Sequence, residues 1–174
     1  HVRGAAPYVD DIPELHGTLH GALGLSGKAH ARIRAMDLDA VRASPGVVAV
    51  FTARDIPGSN DCGPIVHDDP VLADGLVQYH GQPIFLVVAD TRDHARRATL
   101  QARIDYEELP ALLRAQQARD AQAFVSAPLE LRRGDFESAL ARAPQSRTGR
   151  IRLGGQEHFY LEGQVSYAVP REGR

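Results

Sequence analysis

Pro83-Ile84-Phe85-Leu86-Val87-Val88-Ala89, followed by Asp90-Thr91 and then by Arg92 to Arg103, is the stretch that decides the fold. Branched and aromatic side chains fill it and a proline opens it, which is the composition of a strand. Thr91 brings a hydroxyl that can accept an unpaired amide at a helix start. In the helix that follows, Ala95, Ala98 and Ala102 form the inward face, and small residues at that spacing let a helix lie close on a sheet. Arg92, Arg96, Arg97 and Arg103 can then point to water. Ile104 to Glu107 reads as a second strand, so Pro83 to Glu107 is strand, helix, strand, a unit whose crossover is usually right-handed.

Working outward toward the N-terminus, Val47-Val48-Ala49-Val50-Phe51 is a continuous apolar run, expected as a buried strand. Ser44-Pro45-Gly46 stops the short helix Leu38 to Ala43 ahead of it, and Asp37 is the capping candidate of that helix. Leu15 to Leu25 alternates with period two, Leu15, Leu19, Leu23 and Leu25 on one parity, with glycines that fit close passage against other backbone. Asp55 to Gly81 is rich in Gly, Pro, Asp and Asn, and is expected as a long folded loop carrying one short strand. Toward the C-terminus, Glu108 to Arg133 is expected as partly irregular connecting chain, Asp135 can cap a short helix Phe136 to Arg142, and Ala143 to Gly149 is a turn-rich linker. Ile151 to Val169 is expected as a strand. The fold class is α+β.

Composition narrows the function classes. The chain has 174 residues, 43% hydrophobic and 24% charged, which is a globular composition. Twenty Lys and Arg against 22 Asp and Glu give a net charge of -2, so no basic field exists to hold nucleic acid or an anionic membrane. No apolar run reaches the roughly 20 residues of a membrane-spanning helix. Cys62, the single cysteine, cannot close an internal disulfide, and the opening HVRGAAPYVDD lacks the apolar run of a secretory signal. These point to the cytoplasm.

Gly154-Gly155-Gln156-Glu157-His158-Phe159-Tyr160-Leu161-Glu162 resembles the segment by which xanthine dehydrogenases, members of the molybdenum hydroxylase family, enter their first molybdenum-cofactor-binding domain. His1-Val2-Arg3-Gly4, Tyr8-Val9-Asp10-Asp11-Ile12-Pro13, Ala29-His30-Ala31-Arg32-Ile33, Pro45-Gly46-Val47-Val48-Ala49-Val50, Asp68-Asp69-Pro70, Tyr79-His80-Gly81-Gln82-Pro83 and Tyr106-Glu107-Glu108-Leu109-Pro110 are similar to the same family. The resemblance covers nearly the full chain. It implies an α/β hammerhead domain over residues 1–149 and the truncated start of a molybdenum-cofactor (molybdopterin) domain over 150–174. It also implies that Gln156 contacts an oxo ligand of molybdenum and that Gly155, beside it, lets the backbone approach the cofactor. A neutral amide can donate to an oxo group without adding charge, and glycine keeps the approach open.

For the intact enzyme the resemblance implies hydroxylation of hypoxanthine and xanthine to urate in purine catabolism, with electrons passing through Fe-S centres and FAD to NAD. The remainder of the molybdenum-binding subunit and the Fe-S/FAD domains or subunit are the implied partners, and the purine is the substrate. The family's substrate-binding arginine and hydroxylation base lie beyond Arg174, so the expected role of the fragment alone is non-catalytic docking, with no cofactor of its own. Another molybdenum hydroxylase of aldehyde oxidase type is the alternative. If the strand Ile151 to Val169 lacks a partner, self-association into a homo-oligomer or folding back on the hammerhead is expected.

Other features carry ordinary readings. His16 and His20 are four apart in a strand-like setting without the glutamate of a zinc-protease helix. Cys62 has no neighbouring histidine to activate it. Arg133-Gly134-Asp135 spells an adhesion tripeptide, but Asp135 is accounted for as a helix cap. Asp10-Asp11, Asp68-Asp69 and Glu107-Glu108 are adjacent, and adjacent residues of a strand face opposite sides, which argues against paired acid and base carboxylates.

Overall fold

The computed structural model describes residues 1–172; Gly173 and Arg174, the last two residues of the expected cofactor-domain start, lie outside the described residues. Two compact units divide the chain: Glu14–Ala121, and His1–Pro13 with the chain from Gln122 onward.

The unit Glu14–Ala121 holds six strands: β1 (His20–Leu25), β2 (Ala31–Asp37), β3 (Val47–Thr52), β4 (Leu76–Val77), β5 (Pro83–Ala89) and β6 (Arg103–Glu108). Helices α1 (Asp39–Arg42), α2 (Arg92–Thr99) and α3 (Ala115–Asp120) lie between and after them. The strands form two antiparallel three-stranded sheets, β1-β5-β3 and β4-β2-β6. β5 is central in the first, pairing Leu86 with Leu23 of β1 on one edge and with Phe51 of β3 on the other. Its Ile84, Phe85, Val87 and Ala89 are buried, and Ile84, Phe85 and Val87 join Leu38, Val41, Ala73 and Ala98 in one core. Ile33 and Met36 of β2 and Ile104 and Tyr106 of β6 pack against that core.

The segment around β5 follows its sequence closely. The strand has the expected bounds, and the Thr91 hydroxyl accepts from the amide of His94 at 3.1 Å as the N-cap of α2. Ala95 and Ala98 are fully buried and Ala102 packs at the edge of the core. Two details differ. α2 ends at Thr99 rather than Arg103, because Arg103 is taken into β6, where it pairs with Asp37. β5 and β6 also belong to different sheets, so the helix joins two sheets instead of two parallel neighbours. Both edges of β5 are already hydrogen-bonded, which leaves β6 no place beside it.

Three further expectations are corrected. β3 is an edge strand with one face toward solvent, and a register shift between Val47 and Ala49 puts Val48 outside at 61% exposure and Phe51 at 42%. A continuous apolar run therefore did not mean burial on both faces. β1 begins at His20 and not at Leu15, because Gly17 takes φ +81° in a turn closed by the Thr18 amide on the Leu15 carbonyl at 3.1 Å. Finally, the stretch Ile151 to Val169 contains no strand. Phe159 sits at φ +57°, in the left-handed region that a pleated backbone cannot use, and a strand needs a ladder partner that no described residue supplies.

The short elements use local acids. Asp37 Oδ1 accepts from the Asp39 amide at 3.0 Å just ahead of α1, and the long loop carries the single short strand β4. In the second unit, Asp135 Oδ1 accepts from the Ser138 amide at 3.1 Å and caps α4 (Phe136–Ala141). Among the described residues no helix is long and apolar enough to cross a membrane.

Gly24 shows how closely β1 approaches its neighbour. A Cβ on it would run into the ring of Phe85, which is buried among core side chains. Gly24→Ala is therefore expected to destabilise the chain by about 1–3 kcal/mol, the usual range for overpacking, and to lower its thermal midpoint. Gly27→Ala, where a Cβ meets nothing within 4 Å, should change the midpoint far less in the same melting experiment.

Several carboxylates hold their protons less tightly than usual. A hydrogen bond from His94 at 2.6 Å is the main cause at Asp90, and donation by the Thr52 amide and hydroxyl is the main cause at Asp55. The Ser138 side chain and amide act in the same sense on Asp135. Because these folded-state values are depressed, the stability they contribute is complete above the unfolded aspartate pKa of about 3.9 and is lost as pH falls through the folded values. Thermal midpoints measured from pH 6 to pH 2 should drop on the acid side, and Asp90→Asn should flatten part of that drop.

Candidate functional site

The segment carrying the candidate site, residues 151–161, is exposed throughout. Gly154 and Gly155 have open space where a Cβ would stand, and Gln156 follows with its amide exposed. The rings of His158 and Tyr160 stack with centroids 5.3 Å apart and planes 14° from parallel. Phe159, in the left-handed conformation between them, is solvent-facing. Such a conformation costs a non-glycine residue on the order of 1–3 kcal/mol.

At Gln156 the segment offers a neutral amide donor beside a side-chain-free backbone. It fits a single contact to a bulky oxo-bearing cofactor such as molybdopterin-bound molybdenum, since Gly155 leaves the approach clear and Gln156 adds no charge. It does not enclose such a group: among the described residues the buried polar side chains, Ser26 and Gln82, lie in the unit Glu14–Ala121. Among the described residues no group of three or more His, Cys, Asp and Glu is placed to hold a metal ion.

Sequence reasoning did not single out Glu162, the last residue of the motif, which is half-buried in an otherwise exposed run. Its Oε1 accepts from the amide of Val9 at 2.7 Å. The available signal was a carboxylate closing an aromatic and apolar run, where a charged group needs a donor.

The remaining candidates keep their ordinary roles. His20 Nε2 lies 3.7 Å from Glu14, as a surface pair. Cys62 is exposed, and its thiol is pushed up mainly by desolvation and then by the neighbouring charge of Asp69, the reverse of what a nucleophile needs. Beside it Asp61 organises the loop. Its Oδ1 accepts from the amides of Gly63 and Asp69, and its Oδ2 lies 2.6 Å from His67, which together hold its carboxyl below the usual range. Glu107 pairs with Arg34 at 2.6 Å while Glu108 pairs with Lys28, so these adjacent acids have different partners.

Residues 3–110 match the family model of the aldehyde oxidase and xanthine dehydrogenase a/b hammerhead domain, and residues 117–174 match that of the molybdopterin cofactor-binding domain. A xanthine dehydrogenase of Oryza sativa is 42% identical over 97% of this chain and 13% of its own length. A nicotinate hydroxylase of Emericella nidulans is 42% identical over 98% of the chain and 13% of its own length. Among solved structures, the aldehyde oxidoreductase of Desulfovibrio desulfuricans superposes with a TM-score of 0.62 at 29% identity, over 71% of this chain and 15% of that one. The chain thus spans about 13% of the length of the curated relatives it matches. Its α+β architecture is that of a hammerhead domain leading into a molybdenum-cofactor domain, and the chain belongs to the aldehyde oxidase and xanthine dehydrogenase family.

Proposed function

We propose that this chain is part of the molybdenum-binding subunit of a cytoplasmic xanthine dehydrogenase that hydroxylates hypoxanthine and xanthine to urate, with electrons leaving through Fe-S centres and FAD to NAD. The observation that carries the reading is 42% identity to a xanthine dehydrogenase across 97% of the chain. In that reading the unit Glu14–Ala121 is a docking and scaffolding domain without chemistry of its own, and the remainder of the subunit and the Fe-S/FAD domains are its partners.

When bound, the molybdenum cofactor would supply hydroxylation and the first acceptance of electrons. Gln156 would donate one amide hydrogen bond to an oxo ligand, and Gly155 would keep the backbone clear of the cofactor. A neutral donor suits that position because a carboxylate would repel the oxo oxygen. The expected domain division at 149/150 is part of the same proposal. The two family models have their own limits at residues 110 and 117, and the compact unit ends at Ala121.

A molybdenum hydroxylase acting on aldehydes or on other heterocycles is the second reading. It rests on the aldehyde oxidoreductase superposition and on the nicotinate hydroxylase, which is as similar to this chain as the plant xanthine dehydrogenase. The intact enzyme should be offered xanthine, hypoxanthine, nicotinate and an aromatic aldehyde under identical conditions. Urate formation with NAD reduction at the highest kcat/KM supports the first reading, and preference for the aldehyde or nicotinate replaces it.

Gln156→Ala in that intact enzyme should leave folding unchanged, since the residue is exposed here, and should slow turnover per molybdenum roughly a hundredfold, the cost of deleting one donor at a transition state. Gln156→Glu should be no faster. Wild-type rates in both variants at full molybdenum content would remove Gln156 from the site.

A further inference from the structure

The family model that begins at residue 3 groups the opening residues with the hammerhead, yet in the structure His1–Pro13 belong to the same compact unit as the Gln156-bearing segment. The contact responsible is specific. Val9–Asp11 form a single 3-10 turn, in which the Tyr8 amide donates to Asp11 Oδ2 at 2.9 Å and the Ile12 amide to the Val9 carbonyl at 3.1 Å. A turn this short cannot satisfy the amide of its own first residue. That amide, of Val9, donates to Oε1 of Glu162 at 2.7 Å, the length of a charge-assisted bond.

Around this bond, Tyr8 and Val9 line one hollow with Tyr160, Leu161 and Val165. His1 Nδ1 lies 3.1 Å from the Tyr8 hydroxyl and its ring 5.8 Å from the Tyr8 ring, so the start of the chain is gathered at the same place. The segment 151–169 has no sheet ladder to hold it, and within it Glu162 and Tyr167 alone are half-buried. A segment without a ladder takes its position from such side-chain ties.

We infer that Glu162 is a positioning residue, a latch that fastens the end of the Gly154–Glu162 segment to the 3-10 turn at Val9–Asp11. The first thirteen residues are then a strap of the cofactor-binding part of the molecule, and Glu14–Ala121 is an excursion of the chain between strap and motif. The latch stands on the contact itself and does not depend on what Gln156 touches.

Hydrogen exchange of the 174-residue chain, read peptide by peptide, tests it. Glu162→Ala should speed exchange of the amides in 8–12 about tenfold, as expected for loss of one charge-assisted bond, and should also speed exchange in 158–166. Amides of β5 should not change. Glu162→Gln keeps an acceptor oxygen and should retain most of the slow exchange at 8–12, and exchange there as fast as in Glu162→Ala would overturn the acceptor role. The reciprocal measurement is removal of His1–Pro13, which should speed exchange in 158–166 and leave β5 unaffected. Unchanged exchange at 8–12 in Glu162→Ala, unchanged exchange at 158–166 after the removal, or an equal loss in β5 would each overturn the latch.

Discussion

Everything in the unit Glu14–Ala121 depends on β5 being hydrogen-bonded along both edges while Phe85, Val87 and Ala89 on one face and Ile84 on the other are buried. β1 and β3 flank it in antiparallel register, and Phe85 presses into the space that Gly24 leaves empty. Burying Ile84, Phe85 and Val87 fully is worth about 1.5–3 kcal/mol for each side chain, a large fraction of the stability of an ordinary domain. That burial also excludes the simplest topology for a strand, helix, strand sequence. With no free edge beside β5, the chain leaving α2 crosses to the second sheet, and the core is closed by Ile104 and Tyr106 from β6.

The sequence was most legible where local chemistry and tertiary demand agree. Pro83 to Ala89, the Thr91 cap, the alanine face of α2 and the Asp135 cap could be read from residue types, because each is decided within a few residues of itself. What could not be read was decided at a distance. Whether Val47 to Phe51 is central or at an edge depends on which strands pair, and periodicity carries no such information. The same holds for Ile151 to Val169, whose apolar alternation looks like a strand but whose backbone turns at Phe159 and finds no ladder among the described residues.

The candidate site shows a related asymmetry. Gly155 and Gln156 stand out through resemblance and yet have little structure around them, whereas Glu162, which did not stand out, makes a long-range bond from the segment. A motif preserves the residues that meet a ligand together with those that fix the motif in place, and residue type alone does not separate the two. Hydrogen-bond partners do, because a carboxylate whose oxygen holds a distant amide has a mechanical part to play whatever chemistry occurs six residues away.

The register of the two sheets also bears on how the protein is made. His20 pairs with Ala89 and Ala31 with Glu108, so neither β1 nor β2 can find its main partner until most of the unit has been translated. At about 5–20 residues per second, these strands wait several seconds at the ribosome with their edges and their apolar side chains uncovered. Pairings so distant in sequence also place the domain among slower folders, since loop closure precedes any gain from the ladder. β1 meets this interval with glycine at Gly21 and Gly24, and β2 with arginine at Arg32 and Arg34, residues that weaken premature pairing with another nascent chain.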